Sequence, residues 1–224
     1  VMKGKLIIIE GGDGSGKATQ TELLRRHLAD DGQSVKAVSY PDYDSESSAL
    51  VKMYLRGDFG TDADTINPYT ASAFYAVDRI ASYELKWKRF FKAGGIVLAD
   101  RYTTSNMLYQ MIKIPGKADQ DAYLDWLWDF EFKKLGLPEP DAVILLDVPL
   151  EVTERLMSER TGKTGGTTGD IHEKDRDFLH KCHAAYVGVA AKYGWHKIDC
   201  TREGVLRSPR AIHEDVYALV KGLI

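Results

Sequence analysis

A glycine-rich loop directly after a short apolar strand constrains this chain more than any other feature of its sequence. The run Lys5–Ile9 leads into Glu10-Gly-Gly-Asp-Gly-Ser-Gly-Lys17, which fits the pattern G-x-x-x-x-G-K, and an amphipathic helix over Thr19–Leu28 follows. In this order of strand, loop and helix, glycines let backbone N–H groups turn inward while the helix adds its positive end. The sequence therefore predicts an α/β fold with a loop that binds phosphates.

The residues of this loop have expected roles toward the phosphates of a nucleotide. Lys17 supplies a mobile positive charge to the outer phosphates. The hydroxyl that usually follows this lysine and binds Mg²⁺ is missing, because Ala18 stands there and Thr19 lies one position further along. We expect nucleotide contacts from Gly11, Gly12, Asp13, Gly14, Ser15, Gly16, Lys17, Ala18 and Thr19.

Four further apolar runs, rich in β-branched residues, alternate with longer helical stretches. Strands separated by helices form parallel sheets, because each strand must return to the same edge through a crossover. The sequence therefore predicts a doubly wound, five-stranded parallel sheet in a single α/β domain over residues 1–224. The four runs are Ser34–Tyr40, Gly95–Asp100, Ala142–Val148 and Trp195–Cys200.

Two stretches do not fit this alternation simply. The Gly/Thr-rich residues 161–169 are too polar and flexible to pack into a core, so we expect a short mobile lid over residues 155–175. Residues Asp119–Leu135, in which Trp126 and Trp128 alternate with acidic residues, suggest packing but indicate no function.

Charge and composition narrow the range of partners. The 30 basic and 33 acidic side chains give a formal net charge of −3, which disfavours a nucleic-acid polymer as partner. The apolar runs are too short to span a membrane, so we expect no membrane partner. Two cysteines, Cys182 and Cys200, lack the spacing of a metal site and favour the reducing cytoplasm.

Asp100-Arg101-Tyr102 ends the third predicted strand, at the sheet edge where open α/β folds bind ligands. The guanidinium of Arg101 can bind a phosphate with two hydrogen bonds, and Asp100 can hold Mg²⁺ through water. Asp147, at the end of the fourth strand, competes for the metal. The simpler interpretation of the Asp-Arg pair is an ion pair that closes the strand.

Pro68 is expected to open a long helix, since proline fits the first helical position. Tyr75 and Arg79 lie four residues apart on it and can stack on a base and hydrogen-bond its edge, or can serve as helix packing and a surface arginine. An apolar stripe of the same helix comprises Phe74, Val77, Ala81 and Leu85. Polar groups able to contact a base or sugar follow at Ser105, Asn106, Tyr109 and Gln110.

In combination these segments resemble the thymidylate kinase family, whose members convert dTMP to dTDP. The resemblance implies a P-loop nucleotide kinase core, ATP and Mg²⁺ as cofactors, nucleotides as partners, and a homodimer. The matching segments are Glu10–Lys17, Tyr40–Tyr43, Phe74–Arg79, Asp100–Asn106 and Pro140–Val148.

By position in these motifs, the resemblance assigns roles around the acceptor phosphate and sugar. Asp13 resembles the acid that contacts the acceptor's sugar hydroxyl and the metal shell. Arg101 resembles the arginine on the acceptor phosphate, and Tyr43 is similarly placed to reach it. Tyr109 resembles the ring that crowds the 2′ position and favours deoxyribose.

The resemblance also assigns residues to the base. Tyr75 takes the place of the aromatic ring that stacks on thymine, commonly Phe in the family, and a tyrosine ring can stack as well. Arg79 resembles the arginine that bonds the carbonyl edge, and Asn106 and Gln110 occupy the amide positions beside the base. Ser105 adds a hydroxyl nearby.

Some family members carry an arginine inside the phosphate loop, where this chain has Gly14, whereas others supply it from a lid. We therefore expect Arg160, helped by Arg155 and Lys163, to close over the γ-phosphate in the transition state. The alternative is a solvated polar loop.

The expected reaction is phosphoryl transfer from MgATP to dTMP, giving dTDP and ADP for dTTP synthesis. A phosphate monoester is already anionic at neutral pH, so the chemistry needs positioning and positive charge from Lys17, Asp13, Arg101 and Arg160 rather than a general base. Two alternatives stay open at this point. One is another nucleoside monophosphate kinase or a deoxynucleoside kinase with Glu10 or Asp13 as base, and the other is a nucleotide-binding switch without catalysis.

Overall fold

The structure is a computed structural model that describes residues 4–62, 64–156 and 176–224. Five parallel strands form one sheet in the order β2-β3-β1-β4-β5, and a small antiparallel ribbon of β6 and β7 follows. The strands are β1 Lys5–Glu10, β2 Val35–Ser39, β3 Ile96–Asp100, β4 Ala142–Asp147, β5 His196–Asp199, β6 Thr201–Arg202 and β7 Val205–Leu206.

Helices connect the parallel strands. Two π-helical turns, Tyr83–Trp87 and Asp129–Lys134, prolong the helices that precede them. The α-helices are α1 Lys17–Asp30, α2 Ala49–Arg56, α3 Pro68–Ser82, α4 Lys88–Lys92, α5 Thr103–Tyr109, α6 Lys117–Trp128, α7 with described residues 150–156, α8 Arg176–Tyr193 and α9 Pro209–Lys221.

The predicted five-stranded parallel sheet is confirmed, and each strand boundary lies within one residue of its prediction. Strand β1 is central, with β3 on one side and β4 on the other. Its side chains alternate between two cores. Ile7 and Ile9 pack with α1 and α9, whereas Leu6 and Ile8 pack with the layer that contains Trp87. Helices therefore cover both faces, which explains why β1 is apolar at consecutive positions.

The first helical position of α3 is Pro68, as predicted, and the Asn67 side chain caps the helix by accepting from the N–H of Tyr69. The predicted apolar stripe is not a core face along its whole length, because Val77 is 49% and Leu85 is 83% exposed. Residues 157–175 of the predicted lid lie outside the described residues. Within the described ranges, no helix is both long and apolar enough to cross a membrane.

Candidate active site

The loop between β1 and α1 has the backbone geometry that the sequence pattern predicts. Gly16, immediately before α1, has a φ of 89°, in the left-handed region that glycine adopts without strain. A Cβ at Gly11 would lie 2.6 Å from the Ser15 hydroxyl and 3.0 Å from the carbonyl oxygen of Leu146. Only glycine therefore fits where the loop leaves the sheet.

Lys17 begins α1 and folds back over this loop, where its Nζ donates to the Gly12 carbonyl at 2.8 Å. The residue is 8% exposed. Burial, and secondarily the nearby Arg101 charge, lower the pKa of Lys17, while acidic neighbours oppose the shift. An anionic phosphate beside it would favour the charged form.

Arg101 follows β3 with a φ of 67°, in a backbone region that costs a non-glycine residue energy. In this conformation the N–H of Arg101 donates a hydrogen bond to the carbonyl of Ile9, near the end of the neighbouring β1. Its Nη2 lies 2.5 Å from Asp13 Oδ1, and the Tyr109 hydroxyl donates to Asp13 Oδ2 at 3.2 Å. Predicted phosphate, sugar and metal residues therefore form one cluster at the carboxyl edge of the sheet.

Asp13 is strongly acidic in this cluster. Burial alone would raise the pKa of its carboxyl group, but the charges of Arg101 and Lys17 and the hydrogen bonds from Arg101 and Tyr109 outweigh burial. The pKa of Asp13 falls to about 2 as a result. Asp13 is therefore ionised at neutral pH and is a poor proton acceptor.

Glu10 is a functional neighbour that sequence reasoning placed only in the alternative role of a general base. Its fully buried carboxylate accepts from the Gly11 N–H, from Thr104 Oγ1 at 2.7 Å and from Ser105 Oγ at 2.9 Å. Ser105 in turn accepts from Arg101 Nη1 at 3.2 Å. Glu10 therefore fixes Arg101 through Ser105, and its oxygens are engaged in hydrogen bonds.

A cleft of about 550 Å³ opens beside Asp13 and Arg101. All nine residues predicted to bind the acceptor line it, so the structure brings the whole predicted set together. Sequence reasoning gave no role to four other lining residues, Tyr40, Pro41, Leu55 and Tyr102. The nine are Asp13, Tyr43, Tyr75, Arg79, Arg101, Ser105, Asn106, Tyr109 and Gln110.

Arg79 lines the cleft and is buried, with 1% of its surface exposed. It is therefore not the surface arginine of the simpler interpretation. Its Nε and Nη2 donate to the two carboxylate oxygens of Glu131 at 2.7 and 2.5 Å. Its Nη1 lies 3.4 Å from the Tyr102 carbonyl. Sequence reasoning missed Glu131, which lies in the stretch without an assigned function.

Two amide side chains carry buried polar atoms that lack a partner among the described residues. These atoms are Asn106 Nδ2 and Gln110 Oε1, on residues that are 3% and 1% exposed. Buried polar atoms are normally paired, because leaving one unpaired costs about 1–3 kcal/mol. Both residues line the cleft, so a ligand there can supply the missing partners.

The candidate metal-binding carboxylates differ in how many hydrogen bonds and ion pairs they already make. Asp13 is bound by Arg101 and Tyr109, and Asp147 accepts from Lys197 at 3.0 Å. Burial raises the pKa of Asp100, against the lowering charges of Lys17 and Arg101. In the part of the chain that the structure describes, no group of three or more His, Cys, Asp or Glu residues could hold a metal.

Most of the predicted lid lies outside the described residues. Arg155 is exposed on α7, and Arg160 and Lys163 lie outside the described residues. A second cleft, of about 920 Å³, lies between the phosphate loop at Gly12 and α8, where Tyr186 lines it.

Comparison with known proteins agrees with this geometry. A family model described as thymidylate kinase matches residues 9–211. A thymidylate kinase from Mycobacterium tuberculosis is 31% identical over 191 residues, covering 85% of this chain and 87% of that protein. A probable thymidylate kinase from Pyrococcus horikoshii is 29% identical over 222 residues, covering 98% of this chain and 97% of its own.

Structural comparison supports the fold independently. The thymidylate kinase structure from Candida albicans superimposes with a TM-score of 0.71 at 20% identity, covering 98% of this chain and 92% of the other. The family model spans most of the chain, including the phosphate loop and the residues predicted to bind the acceptor. The chain therefore belongs to the thymidylate kinase family.

Proposed function

We propose that this chain transfers a phosphoryl group from MgATP to dTMP, giving ADP and dTDP for dTTP synthesis. Family membership and the names of its relatives support this activity. The observation that carries the proposal is the set of polar groups at the base end of the cleft.

The imide edge of thymine presents a carbonyl, an N–H and a second carbonyl in sequence. The cleft supplies matching partners, since Arg79 donates, Gln110 Oε1 accepts and Asn106 Nδ2 donates. Cytosine would present an amino group and an unprotonated ring nitrogen, which leaves buried groups unpaired. Tyr75 lines the same cleft, edge-on to Tyr54, and supplies a ring for stacking.

The other end of the cleft suits a phosphorylated acceptor. Arg101, Asp13 and Tyr43 line it, and we assign Arg101 and Tyr43 to the acceptor phosphate. A nucleoside kinase would need a carboxylate to take the hydroxyl proton. Glu10 is already occupied by three hydrogen-bond donors, and Asp13 has a pKa of about 2. These findings weigh against a deoxynucleoside kinase.

We assign the donor nucleotide to the phosphate loop. Lys17 and the loop N–H groups would hold its phosphates, and Asp100 at the adjacent strand end would meet the metal through water. When bound, Mg²⁺ would neutralise phosphate charge and orient the transferring group. An oxygen ligand at Asp100 fits a hard cation, and a metal carried by the nucleotide does not require a preformed protein cage.

The lid role of Arg160, with help from Arg155 and Lys163, stays a proposal for residues that are mainly outside the described ranges. We keep one domain over residues 1–224 and a cytoplasmic location as parts of the same proposal.

A homodimer completes the proposal. The exposed stripe on the face of α3 and the following π turn includes Val77 and Leu85, and Tyr69 near the start of α3 is 38% exposed. Exposed apolar side chains on a helix favour association, and a second copy of the same helix would cover Val77 and Leu85 isologously.

The deciding experiment measures ADP formation from MgATP with dTMP, dUMP, UMP, CMP, AMP or thymidine, beside a reaction without acceptor. The proposal expects dTMP to be the preferred acceptor. The Lys17→Ala variant, purified in the same way, controls for a contaminating kinase and should be inactive. Equal use of CMP or AMP would refute the base assignment, and nucleotide binding without turnover of any acceptor would favour a switch.

A further inference from the structure

The stretch 119–135 holds one fully buried carboxylate. Helix α6 continues as the π-helical turn Asp129–Lys134, and Glu131 in this turn is 0% exposed. The Glu131 carbonyl accepts from the N–H of Leu137, which ties the turn to the chain that leads into β4. A π turn shifts the helical register of the residues after it, and such turns are frequent at functional sites.

The partners of Glu131 are two residues of the acceptor region. Its carboxylate accepts hydrogen bonds from Nε and Nη2 of Arg79, and Oε2 also accepts one from Thr103 Oγ1 at 2.6 Å. A guanidinium has five N–H groups in a fixed plane. Glu131 takes two of them and the Tyr102 carbonyl takes one, so two remain for a ligand.

The orientation of those remaining groups is fixed by the Glu131 contact. Two parallel hydrogen bonds set both the position and the plane of a guanidinium. Arg79 is also 1% exposed, so the packing around it leaves its side chain little room to move. Without a carboxylate partner, a buried guanidinium would turn toward other acceptors or admit water.

Thr103 adds a second constraint. It is the first residue of α5, the helix that carries Asn106 and Tyr109 and ends next to Gln110. Through Thr103 and Arg79, one carboxylate therefore links the donor on α3 to the helix that presents the amides. The groups that face the base thus share one buried anchor.

We propose that Glu131 is a positioning residue that holds Arg79 and α5 in the geometry needed to bind the pyrimidine edge. The inference rests on the proposed function and deepens it by naming a residue that sets base recognition without touching the substrate.

The test combines Glu131→Gln with Arg79→Ala in a double-mutant cycle. Glutamine keeps the size of the side chain but replaces one acceptor oxygen with a donor that opposes the guanidinium. In the active enzyme we expect the KM for dTMP to rise about tenfold or more, the effect of one mis-set charge-assisted hydrogen bond. The KM for ATP should stay within about twofold, because Glu131 has no described contact with the phosphate loop.

The cycle separates positioning from general stability. In the Arg79→Ala background, Glu131→Gln should raise the KM for dTMP by clearly less than in the wild-type background, because the part of its effect that passes through Arg79 is gone and only the part through Thr103 and α5 remains. Asp141→Ala is the matched control, since it removes a hydrogen bond from the Leu6 N–H at the start of β1, at the end of the sheet away from the cleft. It should lower the melting temperature and leave the KM for dTMP unchanged.

Each outcome has a defined meaning. If Glu131→Gln does not fold, Glu131→Asp replaces it, since it keeps the charge but retracts the carboxylate, and the same non-additivity is expected. Additive effects with Arg79→Ala, or equal KM increases for ATP and dTMP, would overturn the positioning role. A wild-type enzyme that makes no dTDP would refute the proposed function, whereas an active wild type with an unchanged variant KM would refute only the Glu131 inference.

Discussion

The carboxylate of Asp13 should give the folded protein a pH-dependent stability that the variant Asp13→Asn lacks. Its pKa is lowered from 3.8 to about 2, chiefly by Arg101 and Lys17 against the opposing effect of burial. At about 1.36 kcal/mol per pKa unit, this corresponds to about 2 kcal/mol. Because the folded-state pKa lies below the unfolded one, this stability is fully present above about pH 5 and is lost as the pH falls toward 2.

The assay is urea denaturation of wild type and Asp13→Asn at pH 7, 5, 4 and 3. At pH 7 the variant should be less stable by about 2 kcal/mol or more, since Arg101 loses its carboxylate partner. The difference should be flat from pH 7 to 5 and should shrink by about 1 kcal/mol at pH 3. The matched control is Asp58→Asn, which breaks the exposed ion pair to Arg56 and should cost less than about 1 kcal/mol. A variant as stable as wild type at pH 7, or a difference independent of pH, would refute the reasoning.

Three further predictions address the site and the assembly. Arg79→Ala should raise the KM for dTMP by a factor of about 10 to 100 with little change in the KM for ATP, because buried donors to the base are lost. Steady-state kinetics with each nucleotide varied in turn would show this difference, and equal increases in the two KM values would contradict it. Arg160→Ala should lower kcat by about 10³-fold or more while dTMP binding persists. Single-turnover rates would measure the loss of catalysis and calorimetry the binding of dTMP, and a fully active variant would remove Arg160 from the mechanism. Leu85→Glu should shift the protein from dimer to monomer in analytical ultracentrifugation, since a buried charge opposes an apolar interface, whereas the same substitution at exposed Arg26 should not.

The sequence predicted what depends on local patterns. The predicted strand boundaries lie within one residue of the observed ones, because short runs of β-branched residues between helices fit few structures other than buried parallel strands. The phosphate loop was predictable because glycine spacing and strand–loop–helix order determine its backbone. Tyr75 and Arg79 were also predictable as a pair, since residues four apart share a helix face.

Contacts that depend on tertiary packing were not predictable in the same way. Glu131 meets Arg79 across 52 positions of sequence, and Glu10 meets Thr104 across 94. No local periodicity indicates either contact. The π turn at Asp129–Lys134 that carries Glu131 was missed as well, because its α6 neighbours predict an ordinary helix. An acidic residue among apolar and aromatic ones was the available signal, since an uncompensated buried charge is costly and implies a partner.

The described site consists of cations that already have acceptor partners. Arg79 is held by Glu131, Arg101 by Asp13 and Lys17 by the Gly12 carbonyl. The carboxylates of Glu131 and Asp13 cancel the charges of Arg79 and Arg101, whereas the Gly12 carbonyl accepts from Lys17 without cancelling its charge. An incoming nucleotide is therefore bound mainly by donors that the partners leave unused, and less by a strong positive field. Since the partners set the direction of those donors, substitutions of Glu131 or Asp13 should change substrate recognition even though they remove no positive charge.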